Sequence, residues 1–476
     1  MGAGAYCLWN RGSGSLASLE QKPRFLIVFG ANGGASIIDS FMAVRESEAG
    51  DQAATLNTFP DQLVENIEGT PFRAVKFKGK VGSLPIQVDA DQSGFVKKHF
   101  QDMLVVAQER TSVTHQVGQK RSLTGNDAWK GRTLQECVAL QYGKSLCFPN
   151  INMATGGYSE DGIDQDLAAY ASLTKVSSPL FWPLGLHGSK GIPGAPSQDM
   201  INLARNLRNS QFDPSSAFIQ SFPKSEAIKT WKKIREHRDP NAGVGKLEAQ
   251  NLFSRLGFKK PSGLGLGQDF SRLTEIFSNY QNDPIEGQAL LAVKVILGKV
   301  CSSVTISHGG AIIDYKPDGS PIIINPPLSF DYSHNAHRAT QAMMWQRTLK
   351  VIDKIIAVLK SYEFDQQTGE SFWDRSLIYL ATDFGREKKR PKNASEFASS
   401  HHLNNGVLLL SPMLKGNRIL GGIDPNTCLT YGFNLNSGSP EPHRNLEEKE
   451  LFAGLLDIMR VDTSGSGLPH VPVFRT

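Results

Sequence analysis

Three separated stretches of the chain hold residues whose types and spacing could do chemistry. The first runs from Ser376 to Asp424, SLIYLATDFGREKKRPKNASEFASSHHLNNGVLLLSPMLKGNRILGGID. Asp383 follows the apolar run Leu377 to Ala381, and Gly385 and Arg386 come next. A carboxylate just past the carboxyl end of a buried strand lies where open α/β sheets place their ligands. The pair His401-His402 then precedes a second apolar run, Val407 to Leu410. Carboxylate and imidazoles describe a metal or phosphate site; an ordinary loop with two solvated histidines is the competing account. In the second stretch, Thr114-His115 follows the apolar run Met103 to Ala107. This pair could supply a nucleophile and a ligand, with Lys120 and Arg121 within reach of a negative group, or could be a solvated polar loop. In the third, FDYSHNAH, Asp331 has imidazoles three and six residues on, at His334 and His337. That spacing before a long helix is compatible with metal ligation.

Elements that could position these groups are readable around them. RFLIVFG, Arg24 to Gly30, is a wholly apolar strand running into Ala31-Asn32-Gly33-Gly34 and then a helical pattern carrying Ile37, Ile38, Phe41 and Met42. Strand, glycine turn and helix open a doubly wound sheet, and the glycines permit close approach of backbone to a bound anion. A tight connecting loop explains the same glycines without any ligand. Residues 71–88 alternate apolar and polar as two or three short strands, and CSSVTIS, Cys301 to Ser307, is another strand. Helices are expected near Phe95 to Phe100, over ALLAVKVILG, from Thr340 to Tyr362 and from Lys449 to Met459. The fold class is α/β: a largely parallel sheet sandwiched between helices, with its site at the carboxyl ends of the strands. Residues 1–23 read as a flexible N-terminal segment and 24–476 as one domain, with an insertion at about 150–285 whose Gly/Pro-rich stretches, Pro183 to Pro196 and Lys259 to Gly267, suit surface loops.

Composition narrows the function classes. An excess of 51 basic over 46 acidic residues is too small in 476 to argue for nucleic acid, and Ala227 to His237 reads as a solvated basic helix face. No apolar run approaches the ~18 residues that cross a bilayer, so no transmembrane segment is expected. Five cysteines with no CxxC indicate neither a disulfide scaffold nor a structural zinc site, though a Cys137 to Cys147 bridge is compatible with the spacing. The start, MGAGAYCLWNRGSGSLASLEQ, could be the tail of an export signal.

In order, these stretches resemble the alkaline phosphatase and sulfatase superfamily, and within it the bacterial domain-of-unknown-function 1501 family, usually exported by the twin-arginine route. FLIVFGANGGASIID is similar to that family's strand and Gly-Gly motif, and THQVGQKRSLTG to its Ser-His segment ending in Thr-Gly. FDYSHNAH is similar to its Asp-x-His segment, TDFGR to its Glu-Phe-Gly-Arg segment and SSHHLNNGVLLL to its Asp-His segment; KGNRILGGID fits its tail. The matches cover the two ends of the chain and leave about the middle third unassigned.

The resemblance implies an alkaline-phosphatase-like fold and a metal-dependent hydrolase of phosphate mono- or diesters, taking a small anionic ester in the periplasm or outside the cell. It places Thr114 where the superfamily has its nucleophile. Asp331, His334, Asp383 and one of His401 or His402 become ligands of a divalent metal, whether zinc, magnesium or calcium, and Arg386 or Lys120 holds a non-bridging oxygen. Two divalent ions can lower a hydroxyl pKa and clamp ester oxygens. Departures bear on this. Ser36 stands at the register of the family's acid, with Asn32 or Asp39 as the nearby substitutes, which would cost the site one metal. Phe384 follows Asp383 where phosphatases have histidine. Thr114 cannot become formylglycine, which argues against sulfatase chemistry. The second reading is a catalytically inactive member with a binding or assembly role and a protein partner.

Overall fold

The computed structural model describes residues 22–109, 112–125, 128–154, 161–180, 182, 197–233, 235, 271–308, 312–315, 321–324 and 329–475. Eight strands make the central sheet: β1 (Phe25–Gly30), β2 (Met103–Glu109), β3 (Asn150–Asn152), β4 (Thr174–Lys175), β5 (Ser303–Ser307), β6 (Ser376–Ala381), β7 (Asn404–Leu410) and β8 (Arg418–Leu420). They lie in the order β8-β2-β7-β6-β1-β5-β3-β4, and every neighbouring pair is parallel except those made by β7, which opposes both β6 and β2.

Strand side chains alternate between faces, so an unbroken apolar run needs a cover on each. The chain supplies both. Phe25, Ile27, Phe29, Ile378, Leu380, Val105 and Leu408 pack into one core with helices α3 (Pro284–Leu297) and α4 (His337–Ser361). Their neighbours Leu26, Val28, Leu377, Tyr379, Val106 and Leu409 pack into a second core with α2 (Leu134–Tyr142) and α5 (Glu448–Ile458). Each buried side chain of this size contributes about 1.5–3 kcal/mol, and the central strands β1 and β6 are buried at every position. Local signals set the helix ends. Thr133 and Glu136 form a capping box on α2, and Asp283 caps α3 ahead of Pro284.

The register of β1 on β6 matters most for function. Gly30 pairs with Ala381, and the Ala31 N–H donates to the Ala381 carbonyl at 2.8 Å, so the Gly33-Gly34 turn and Asp383 emerge side by side. The helix expected after that turn does not form. Ile37–Asp39 is a single 3-10 turn, and Ile37, Ile38 and Phe41 are buried without a polar face between them. A surface helix needs such a face; instead Phe41 packs edge-on against Trp345 of α4 at 5.4 Å.

β3 and β4 belong to the central sheet, so the first part of the expected insertion is core. Among the described residues of 197–235 none is buried, including the described part of the basic stretch beginning at Ala227. Cys137 is a buried free thiol, so no Cys137 to Cys147 bridge forms. Among the described residues no helix is long and apolar enough to cross a membrane. The N-terminal residues 1–21 and the stretches 183–196 and 259–267 lie outside the described residues.

Candidate metal centre

At the carboxyl edge of the sheet three segments distant in sequence meet around one carboxylate oxygen. Asp331 sits in the 3-10 turn Phe330–His334, and its Oδ1 lies 3.3 Å from His115 Nε2, 3.4 Å from His334 Nε2 and 3.8 Å from His401 Nε2. His334 Nε2 and His401 Nε2 are 2.9 Å apart. Zinc held at ~2.0–2.2 Å by nitrogen and oxygen in a tetrahedron has ligand atoms roughly 3.3–3.5 Å from one another, and this set brackets that spacing. His115, Asp331 and His401 offer donor atoms all within 4.8 Å of one another. The donors are those of a borderline divalent ion such as zinc.

His115 joins the centre because of helix phase. It is the first residue of α1 (His115–Thr124), and its ring bridges two acids, Nε2 toward Asp331 and Nδ1 at 2.8 Å from Asp383 Oδ2. Asp383, fully buried, is thus behind the imidazole and not among the atoms that converge on Asp331 Oδ1. Its carboxylate accepts the N–H groups of Gly33 at 3.2 Å and Gly34 at 2.8 Å. The anion that the glycine turn was built to approach is the protein's own carboxylate. Gly33 has φ +90, and a Cβ there would meet the Asp331 nitrogen at 2.3 Å. Carboxylate, imidazole and metal in series is the usual way a histidine ligand is oriented. His401 has its own support, with Nδ1 2.7 Å from the Val113 carbonyl and its ring stacked on Phe384 at 3.8 Å. Phe384 also meets His115 edge-on at 4.8 Å, so its phenyl group is a platform for two imidazoles.

Charges follow the geometry. Hydrogen bonds to Asp331 and Asp383 raise the His115 pKa to about 9 against the effect of burial. Burial pushes the Asp331 pKa up, but hydrogen bonds from His115, His334 and His401 prevail and hold it well below the usual carboxylate range.

The other expected site residues fall elsewhere. In the short antiparallel pair Gly385–Arg386 with His401–His402, successive side chains face opposite ways. His401 therefore meets Asp331, whereas the His402 Nδ1 accepts the Asn404 N–H at 3.1 Å and its pKa is lowered by burial and by Lys388. Arg386 is fully buried and its guanidinium is spent on the protein: on the carbonyls of Gly33 at 3.2 Å and Ser399 at 3.2 Å, on Asp331 Oδ1 at 2.9 Å, and against His334 Nε2 at 3.4 Å. It underpins the centre instead of presenting donors to a substrate oxygen. Lys120 lies two residues past Gly118, the α1 position that abuts the Asp383 backbone. At about 100° per residue its side chain leaves on the other side of the helix. Thr114 is the N-cap of α1, exposed, with no side-chain capping bond. It is flanked by Val113, which His401 anchors, and by His115, so it stands at the rim. Asn32 and Asp39 are engaged elsewhere, Asn32 with the His308 carbonyl and Asp39 with His337, while Ser36 meets Gln341 and Trp345 through its backbone N–H and carbonyl and its buried hydroxyl has no hydrogen-bond partner among the described residues.

No protein-family model matches the chain, and no curated protein matches it.

Proposed function

We propose that this chain is an alkaline-phosphatase-like, metal-dependent hydrolase of phosphate mono- or diesters built around a single divalent ion. The observation that carries the reading is the convergence of His115, Asp331 and His401, whose donor atoms all lie within 4.8 Å of one another, with His334 Nε2 at their edge 3.4 Å from Asp331 Oδ1. A divalent ion held there would polarise an ester oxygen and lower the pKa of a nearby hydroxyl. Thr114, the exposed N-cap of α1 next to His115, would be the nucleophile, and the positive end of that helix favours an anion. Asp383 keeps the His115 ring turned toward the centre. Among the described residues a second cation finds no uncommitted acid there, since Asp39 is committed to His337, Asp383 to the glycine turn and His115, and Arg386 already sets a positive charge against Asp331. Repulsion between two divalent ions ~4 Å apart is severe without such acids.

An inactive binding module is the second reading, and one feature favours it: Ser36 stands where the resembled family has an acid, and no carboxylate among the described residues takes that place beside Asp331, since Asp39 is held by His337. The two readings part on metal content and turnover. One equivalent of zinc per chain, with hydrolysis of a nitrophenyl phosphate ester lost in Thr114→Ala, establishes the hydrolase. One equivalent without turnover establishes the binding module, and a chain that takes up no metal overturns both. We also place the protein outside the cytoplasm, on the likeness of GAGAYC to the end of a twin-arginine signal; recovery of the native protein in the cytosolic fraction alone would refute this.

A further inference from the structure

Beneath the centre lies a second cluster that the proposed chemistry does not use. Asp39 Oδ1 is 3.0 Å from His337 Nε2, and His337 Nδ1 is 2.7 Å from Ser399 Oγ. This is the hydrogen-bond order of a Ser-His-Asp relay. All three residues are nevertheless at most 2% exposed, so no substrate reaches the hydroxyl. Asn57 donates to both Asp39 oxygens at 3.1 and 3.3 Å, and Phe397 stacks on the His337 ring at 4.8 Å. The cluster is locked.

What it locks is Ser399. That residue's N–H donates to the Ser333 carbonyl at 3.0 Å, its carbonyl accepts from Arg386 Nη1 at 3.2 Å, and His401 follows two residues on. Ser333 lies between Asp331 and His334, so one buried serine ties the turn carrying two of the converging groups to the strand carrying a third, and also fixes the guanidinium set against Asp331. We propose that Asp39, His337 and Ser399 form a buried positioning relay that sets the separation of Asp331 and His334 from His401. The relay rests on the metal-centre reading, and it accounts for Asp39, an acid near the glycine turn that serves the centre without touching it.

Cobalt(II), whose visible spectrum reports coordination geometry, is the probe. In the full chain, Ser399→Ala is expected to bind cobalt about 10- to 100-fold more weakly, the loss typical of an outer-shell partner. Its spectrum should shift away from that of the unmodified protein, and Ser399→Thr, which keeps the hydroxyl, should restore both. Asp39→Asn, close in shape, tests the same link and should move affinity and spectrum in the same direction even if Ser399→Ala fails to fold. Unchanged affinity and spectrum in a folded variant of either residue would overturn the relay while leaving the metal centre standing. An unmodified chain that binds no cobalt would overturn the centre and the relay together.

Discussion

Two residues bear most of the demand at the centre, Gly33 and Asp383. Gly33 has φ +90 and no room for a Cβ beside Asp331. Gly33→Ala is therefore expected to destabilise the fold by about 1–3 kcal/mol and to displace Asp331, lowering zinc affinity; chemical denaturation and a chelator competition measure the two effects, and an alanine variant equal to the parent in both would sink the account. Asp383→Asn keeps the shape but removes the charge facing His115 Nδ1, and a loss of about 10- to 100-fold in zinc affinity is expected. At this scale the sequence was legible as chemistry and ambiguous as geometry. Asp331, His334 and the His401-His402 pair could be singled out because carboxylate and imidazole near strand ends are few. Whether Thr114 or His115 faces inward depends on where α1 begins, and whether His401 or His402 does depends on the parity of a two-residue strand. A shift of one residue reverses either answer, and no periodicity extends through those loops to fix it. Arg386 read as an anion holder because nothing in a sequence shows that a guanidinium's donors are taken.

Elements were legible where their apolar pattern was long. β1, β2, β6 and β7 follow from apolar runs, and α4 from spacing over Leu349, Ile352, Ile356 and Leu359. The segment after Gly33-Gly34 was misread because Ile37, Ile38, Phe41 and Met42 carry a helical spacing although tertiary packing buries them all round. The loop leaving the Gly385–Arg386 strand makes a further demand. Lys388 is 3% exposed, and its ammonium has no hydrogen-bond partner among the described residues. Burial lowers its pKa to about 8, with Asp39 and Cys428 opposing, and His402 is the other titratable group beside it. Between about 8 and the unfolded value near 10.5 the unfolded chain binds more protons than the folded one, so this group's contribution to stability rises with pH across that window. Below about pH 8 the penalty is complete, on the order of 3 kcal/mol. Lys388→Met should accordingly stabilise the protein most at pH 7 and progressively less toward pH 10. The thiol of Cys428, pushed up to about 12, acts in the opposite sense above pH 9, so the quantity to compare is variant minus parent in denaturant melts at each pH. A difference that does not shrink with pH would refute the titration of Lys388.

At the scale of the whole molecule, the two cores and the centre share the same backbone, whereas residues 197–235 do not contribute to either. Met200 and Leu203 in the helix Gln198–Leu207, Phe218 in Ala217–Ser221, and Phe212, Phe222 and Trp231 outside them are at least half exposed. No strand of the central sheet comes from this region, and the side-chain hydrogen bonds of Ser210, Ser215, Gln220 and Lys229, and that of Arg235 to Asp213, stay within it. Local opening here breaks few buried contacts, and such segments are cut by proteases while cores are not. Arg205, Arg208, Lys224, Lys229, Lys232 and Lys233 offer trypsin sites within it. The strands on either side stay joined through the sheet, because β5, from the C-terminal part, pairs with β1 and β3 from the N-terminal part. Limited trypsin treatment should thus cut first between 197 and 235 and yield two large fragments that elute together under native conditions, with any bound zinc retained. First cuts in the loops around Thr114 or His401, or fragments that separate without denaturant, would show that the centre and not this region is the least stable part of the molecule.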